Sequence, residues 1–389
     1  SGPKNFLLTI SRLKEALSGD SMASLPTIKT PITEMFGIQH PIILAGMNVA
    51  AGPELAAAVT NNGGLGVVGG VYYTPKLLKM KIDELKEELN DKNAPFGIDL
   101  LLPQVGGNAR KTNSDYTKGQ LPELIDVIIN EGAKLFVSAV GVPPKYAVDK
   151  LHAAGIPVMN MIGSPNHVQK ALDAGVDIIC AQGGEGGGHT GEVATSILIP
   201  MVVDLCKGKL APLTGKQVPV VAAGGIYDGR GLAMSLSLGA DAVWVGTRFV
   251  ASVEGGAPPK HKEAVVKATA HDTHRCEAFS GRPLRIVKTP YSLKWTGDRA
   301  QEMKELLSKG VLPSAYDMDK MEKSSPEEQA RMIESWGGQL PSASNIHLCG
   351  QVAGAIHEVL PAKQIVEDMI IDAVGIMQSN VAKVTIAKL

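Results

Sequence analysis

Short apolar runs and longer amphipathic segments alternate along this chain. Each short run is apolar at nearly every position, which is typical of a parallel strand that is buried on both faces. The segments between the runs carry apolar residues at helical spacing. Eight runs predict strands at 41–45, 64–68, 95–101, 134–140, 156–162, 176–181, 218–222 and 242–246.

The intervening segments predict helices that alternate with these strands. Pro53 has the position that proline takes at a helix start, and Gly175 and Gly239 follow predicted helix ends. Helices are predicted at 54–61, 76–90, 121–130, 144–153, 165–174, 194–206, 229–238 and 362–374. Strands that alternate with helices in this way predict an α/β fold, a (β/α)8 TIM barrel, rather than a doubly wound sheet.

The interval before the last helix is rich in charge and proline, and it predicts an insertion at 250–345 after strand eight. Barrel and insertion together are expected to form one domain at 26–380. Residues 1–25 stand apart as an N-terminal extension, because Met22 begins a plausible natural start. The residues before Met22 are interpreted as either an addition to the natural chain or a targeting remnant.

The composition narrows the classes of partner. The 389 residues carry a formal net charge of −1, which gives no basic surface for a nucleic acid. No apolar run approaches the ~20 residues that cross a bilayer, so no membrane partner is expected. The four cysteines lie far apart and predict neither a zinc site nor a disulfide framework. We therefore expect a cytoplasmic protein in a reducing environment.

The segment 182–191 carries the strongest functional signal. It has six glycines in ten residues and lies between the sixth predicted strand and the next helix. Glycines let the backbone approach a flat or anionic ligand and leave the imidazole of His189 projecting over it. Because imidazole exchanges protons near neutral pH, His189 is a candidate catalytic acid or base. Glu185 is the alternative base.

Two other motifs are weak. The glycines of 186–191 fit the GxGxxG spacing of a Rossmann fold, but a single match on the sixth of eight strands is poor support for one. The segment 271–276 contains two histidines, an aspartate and a cysteine in a spacing that matches no standard zinc pattern. No metal is expected.

Small and polar residues follow the other predicted strands, at the end of a barrel where catalytic sites lie. Gly46 and Met47 follow strand one, and Asp99 lies near the end of strand three. Strands seven and eight are followed by glycine turns that offer a phosphate bare backbone amides and one hydroxyl. These turns contain Gly224, Gly225, Gly246 and Thr247.

Together these segments resemble the nitronate monooxygenase family, formerly called 2-nitropropane dioxygenases. The matching segments are 41–47, 63–70, 182–191, 222–225, 239–247 and 349–351. The resemblance implies a TIM barrel that binds FMN without a metal and uses His189 as the catalytic residue. It implies that FMN is bound by Ala45, Gly46, Met47, Asp99, Gln182, Gly187, Gly224, Gly225, Gly246, Thr247 and Gln351. Two features depart from the family: relatives often carry Asn in place of Asp99, and the insertion is longer than in compact bacterial members.

The implied activity is FMN-dependent oxidative denitrification of alkyl nitronates or nitroalkanes with O2, so the expected partners are small molecules. Enoyl-acyl-carrier reductases and NAD(P)H:quinone reductases are similar in their glycine loops. FMN-dependent reduction of a quinone or an enoyl thioester by NAD(P)H is therefore an alternative. A flavin-binding barrel without activity is the second alternative, because a fold alone does not determine chemistry. The sequence indicates no oligomeric state.

Overall fold

The computed structural model of the chain describes residues 25–338, 340–342 and 345–384. Eight parallel strands form a nearly closed barrel, which confirms the predicted fold class. The barrel strands are β1 (Ile42–Leu44), β2 (Gly66–Gly69), β3 (Phe96–Leu101), β4 (Leu135–Ala139), β5 (Val158–Ile162), β6 (Ile178–Gln182), β8 (Val220–Ala223) and β9 (Ala242–Val245). Their order is β1-β9-β8-β6-β5-β4-β3-β2, and a parallel bridge between Ile43 and Leu65 joins the two ends of the sheet.

Helices cover the outside of the barrel. They are Pro53–Asn61, Pro75–Glu88, Leu121–Asn130, Lys145–Ala153, Val168–Asp173, Thr195–Cys206, Gly229–Ser237 and Ala362–Val381. The segment predicted as one helix at 165–174 begins with a 3-10 turn, Pro165–His167, which the Ser164 side chain caps. The last helix runs seven residues beyond its predicted end at 374. Ile376 and Met377 still pack on the apolar cluster, whereas Asn380 and Val381 at the end are exposed.

Both faces of the strands are buried, as the continuous apolar runs predicted. One apolar cluster fills the barrel interior and includes Val137, Met159, Cys180 and Trp244. The other lies between strands and helices and contains the alternate residues of the same strands, such as Phe136 and Val243. Because side chains alternate along a strand, each run supplies both clusters.

The insertion forms a layer of its own over one side of the barrel mouth. It contains strands β10 (Thr273–Cys276) and β11 (Leu284–Val287), and its helices are Pro259–Lys267, Pro290–Thr296, Ala300–Ser308, Pro313–Glu322 and Pro326–Ser335. A buried cluster around Tyr291, Trp295 and Trp336 forms its core. β11 pairs antiparallel with β10 and with β7, the two-residue strand Gly188–His189. The glycine-rich segment is thus part of a second sheet.

The N-terminal extension predicted at 1–25 lies outside the described residues, except for its last residue. Among the helices that the structure describes, none is long and apolar enough to cross a membrane. All four cysteines are buried and free of disulfide bonds.

Candidate functional site

The insertion holds the glycine-rich segment 183–191 in place. The Arg285 guanidinium donates two hydrogen bonds to the carbonyl oxygen of Gly184, at 2.9 and 3.2 Å. Arg275 donates to the carbonyl oxygen of Gly191 at 2.9 Å. Charge-assisted hydrogen bonds are among the stronger ones in proteins. The segment is therefore a fixed wall of the site rather than a free surface loop.

Two glycines of this segment serve close contact between parts of the backbone. A Cβ added at Gly187 would lie 2.6 Å from the carbonyl carbon of Cys349, and one at Gly191 would lie 2.0 Å from the oxygen of Gly163. Sequence reasoning assigned these bare positions to the approach of a ligand. In the structure the missing side chains at Gly187 and Gly191 make room for the chain itself.

The side-chain amide of Gln182 stabilises the same segment from below. Its Nε2 donates to the carbonyl oxygen of His189 at 3.0 Å and to that of Gly187 at 3.2 Å. Gln182 ends β6, so it joins the barrel to the loop that carries the histidine. The donor side of this amide is occupied by the loop, and its oxygen is the group left for a ligand.

Glu185, the alternative base, has a structural partner. Its carboxylate accepts hydrogen bonds from the backbone N–H of Thr195 at 2.9 Å and from the Thr195 hydroxyl at 2.8 Å. Thr195 begins the helix Thr195–Cys206, and the N-cap residue Ala194 offers no side-chain cap. Glu185 supplies that cap from the loop, because a carboxylate at a helix start satisfies an otherwise unpaired N–H.

His189 forms a hydrogen bond with a hydroxyl group of the insertion. Its Nε2 lies 3.0 Å from Oγ of Ser280, and that hydroxyl donates to the carbonyl oxygen of Arg282 at 3.3 Å. With the Ser280 proton directed to that carbonyl, Nε2–H is the donor of the first bond. Nδ1 then carries the lone pair, and it has no hydrogen bond within the part of the chain that the structure describes.

The surroundings of His189 favour a neutral imidazole. Burial and the positive charge of Arg282 lower the pKa of His189 from 6.5 to about 4. Both effects disfavour the charged ring, the first by removing water and the second by repulsion. At neutral pH the ring is thus an unprotonated base beside a cation.

The turns after β8 and β9 expose backbone donors. Gly224 and Gly225 have φ of 90° and 76°, a conformation that favours glycine. The N–H groups of Gly225 and Gly246 donate no hydrogen bond among the described residues. Unpaired amides of this kind are suited to an anion such as a phosphate. The neighbouring Thr247 hydroxyl accepts from the N–H of Gly350 at 2.9 Å and so fixes the segment 349–351.

The segment 349–351 closes one side of the site through its backbone. The N–H of Gln351 donates to the carbonyl oxygen of Glu185 at 2.9 Å. The Gln351 side chain is exposed. The family resemblance implies that this residue binds FMN, and the structure places its main chain against the glycine-rich segment.

The residues after β1 meet those of β3 and β9. A Cβ added at Gly46 would lie 2.4 Å from Oδ2 of Asp99, and one at Gly246 would lie 3.4 Å from Ala45 and 3.6 Å from the Met47 sulfur. Asp99 is only 2% exposed, and its Oδ1 has no hydrogen-bond partner in the described structure. Burial raises the pKa of Asp99 from 3.8 to about 8.

All the predicted site residues therefore lie at one end of the barrel, in two groups. Ala45, Gly46, Met47 and Asp99 join the turns after β8 and β9, whereas Gln182, Gly187 and His189 belong to the loop that the insertion covers. The described residues contain no cluster of His, Cys, Asp and Glu that could hold a metal.

Sequence reasoning missed the contributions of the insertion. Ser280, Arg282 and Arg285 lie about 90 or more positions from the histidine loop, and nothing local links them to it. A signal is present in the segment 279–285, where a Ser-Gly-Arg-Pro turn with a second arginine precedes the apolar part of β11. Polar turns of this type beside a strand are candidates for a site.

Comparisons with known proteins show what the chain as a whole is similar to. A model of the family described as nitronate monooxygenase matches residues 29–372. A probable nitronate monooxygenase of Staphylococcus saprophyticus is 30% identical over 349 residues, which cover 81% of this chain and 92% of that protein.

Two further relatives have other names. A 5-hydroxy-7a-methyl-1-oxo-octahydro-1H-indene-4-carboxyl-CoA dehydrogenase of Rhodococcus jostii is 32% identical over 370 residues, 90% of this chain and 97% of that protein. The structure of FabK from Thermotoga maritima superposes with a TM-score of 0.70 at 32% identity, and it covers 92% of this chain and all of that one.

Proposed function

The chain belongs to the nitronate monooxygenase family, and we propose that it is an FMN-dependent enzyme that oxidatively denitrifies alkyl nitronates and nitroalkanes with O2. The family and the named relatives make it an oxidoreductase. The observation that carries the finer assignment is the neutral His189, which has a free Nδ1 and lies beside the cation Arg282. A base next to a cation is suited to a substrate that becomes an anion when it loses a proton.

The residues present fit FMN. Free backbone N–H groups at Gly225 and Gly246 would hold one phosphate, as the bare turns of β8 and β9 suggest. The unpaired, buried carboxyl of Asp99 lacks a partner that a flavin ring would supply, since buried polar groups are normally hydrogen-bonded. Ala45, Gly46 and Met47 would line the same ring. When bound, FMN would supply the redox chemistry.

The protein would handle the proton and the charge. Nδ1 of His189 accepts the α-proton of a neutral nitroalkane, and Ser280 keeps the ring in the tautomer that makes this possible. The imidazolium that results and the Arg282 guanidinium both face the anionic nitronate. A preformed nitronate needs only the stabilisation of its negative charge, because its α-proton is already gone.

Product analysis tests this assignment. The purified protein, given ethyl nitronate in air, is expected to consume O2 and release nitrite, and to release much less nitrite when it carries His189→Ala. A matched control is His357→Ala, since this histidine is exposed and takes part in none of the site contacts described above. Absence of nitrite with both short and long nitronates would contradict the proposal.

A second candidate is NAD(P)H-dependent reduction of an enoyl thioester or a quinone. One observation favours it: the CoA substrate in the name of the Rhodococcus jostii relative, which is 32% identical to this chain. It predicts that NADH or NADPH is consumed anaerobically in the presence of an enoyl thioester. The nitrite assay and this assay together separate the two candidates.

A further inference from the structure

A groove of about 970 Å3 adjoins the histidine site through Arg282. Its walls are the loop 102–119, the ends of β4 and β5, and parts of the helices that follow them, including Lys170 and Asp173 of the helix Val168–Asp173. Strand ends at the mouth of a TIM barrel are where substrates bind. A small nitroalkane would leave most of this volume empty, because whole drug-sized ligands occupy pockets of roughly 300–1,000 Å3.

The part of the groove next to the strands is apolar. Its lining includes Leu102, Val140, Val142, Met161 and Ile162. Tyr146 and Val105 at its outer side are 48% and 55% exposed, which is high for large apolar side chains that belong to a groove. Apolar surface left open in a concave site favours an alkyl chain, since burying it releases ordered water.

The inner end of the groove carries a cation without a counter-ion. Arg282 donates from Nε to Asn113 at 3.2 Å and from Nη1 to the carbonyl oxygen of Val140 at 3.4 Å, and it forms no ion pair within the described residues. Its Nη2 has no hydrogen bond there either. Val140 has φ of 69°, a strained conformation for a β-branched residue and one that occurs at functional sites.

We propose that this groove binds the alkyl chain of a medium- or long-chain nitronate, whose anionic head lies between Arg282 and His189. The proposal rests on the proposed function and names its substrate class. An arginine that is oriented by Asn113 and left with free donors is suited to the planar pair of nitronate oxygens. Apolar walls beyond it make affinity depend on chain length.

Unbranched alkyl carboxylates test this without turnover, because a carboxylate has the planar anion of a nitronate but cannot be oxidised in its place. Calorimetric titration of the purified protein with acetate, butanoate, hexanoate and octanoate is expected to show affinity rising about two- to fourfold per methylene. The corresponding 1-alkanols, which lack the anion, should bind much more weakly. Equal affinities of acetate and octanoate would overturn the proposal.

Two variants separate the head from the chain. Arg282→Met should lower the affinity of every carboxylate by one similar factor, about tenfold or more, and leave the chain-length dependence intact. Val142→Trp should fill the groove and remove that dependence while acetate binds as before, and Val105→Trp serves if the first variant does not fold. Arg331→Met, on an exposed helix of the same insertion, is the matched control.

The outcomes also distinguish this proposal from the proposed function. Chain-dependent carboxylate binding in a protein that releases no nitrite would support the groove and remove the nitronate assignment. Nitrite release with no chain-length dependence would do the reverse. If hexanoyl-CoA binds far more tightly than hexanoate and Arg282→Met leaves both unchanged, the groove belongs to a thioester and the proposal fails.

Discussion

Replacement of Asp99 by Asn should change how stability depends on pH. Burial raises the pKa of this carboxyl from 3.8 to about 8, so the folded protein keeps its proton where the unfolded chain has lost it. The folded state then binds more protons than the unfolded state between these two values. The contribution of the protonated Asp99 to stability is fully present below about pH 4 and is lost as pH rises toward about 8.

The size of the effect follows from the same two values. Each pH unit in this interval corresponds to about 1.4 kcal/mol for one proton. From the ordinary value of 3.8 to about 8, the wild type therefore loses up to about 6 kcal/mol relative to a chain that cannot ionise here. Asn keeps the shape of the side chain, although it leaves an amide in place of the unpaired carboxyl.

Urea unfolding of the flavin-free protein at pH 5, 6, 7 and 8 measures this difference. The free energy of unfolding of Asp99→Asn minus that of the wild type should increase by about 1 kcal/mol for each unit that the pH rises. Asp319→Asn, at an exposed carboxylate, is the control and should follow the wild type. If the difference in unfolding free energy between wild type and variant stays constant from pH 5 to 8, the claim that burial keeps the Asp99 carboxyl neutral is refuted.

Three further predictions concern the loops. Gly225→Asp should weaken FMN binding at least about 100-fold more than Gly225→Asn, because only the former adds a negative charge beside the phosphate; flavin fluorescence titration would show it, and equal losses would remove the phosphate from this turn. His189→Ala should slow the turnover of neutral nitroalkanes by about 10²–10⁴-fold and that of preformed nitronates less. In the wild type, kcat/KM for nitroalkanes should decrease only below about pH 5, where His189 becomes protonated, since its pKa is about 4. Equal losses on both substrate forms would leave His189 without a base role. Glu185→Gln should lower the free energy of unfolding by about 1–2 kcal/mol while flavin is retained, whereas the exposed Glu192→Gln should not; identical urea midpoints would mean that Glu185 does not cap the helix at Thr195.

The barrel could be predicted from the sequence because its strands are buried on both faces. A run such as 218–222 is apolar throughout, which is typical of a buried parallel strand, and eight such runs that alternate with helices indicated the barrel. The observed strands are shorter by one to a few residues, as with Ile42–Leu44 inside the predicted 41–45. Strand ends depend on individual hydrogen bonds, which an apolar pattern does not encode.

The fold of the segment between β9 and the last helix could not be predicted from its sequence. Its sheet depends on a pairing between Leu284 and His189, residues separated by almost a hundred positions, and β7 has only two residues. Neither periodicity nor turn residues indicate a partner at that distance. The sequence therefore did not indicate that the Ser280 hydroxyl and the Arg282 charge lie close to His189.

The sequence also did not show in which direction the individual side chains of the site point. Glu185 and His189 lie in the same glycine-rich segment, and the sequence offered both as bases. Glu185 turns to the start of the helix at Thr195, where an unpaired N–H attracts a carboxylate. The pKa values of Asp99 and His189 likewise follow from burial, which depends on residues far away in the chain.

Anaerobic mixing of the purified yellow protein with a nitronate tests the central claim most directly. Butyl nitronate should remove the visible flavin absorbance, and air should restore it with release of nitrite. NADH and NADPH, mixed in the same way, should leave the absorbance unchanged. Rapid bleaching by either nicotinamide, with no change on addition of the nitronate, would contradict the account and assign this chain to the reductases.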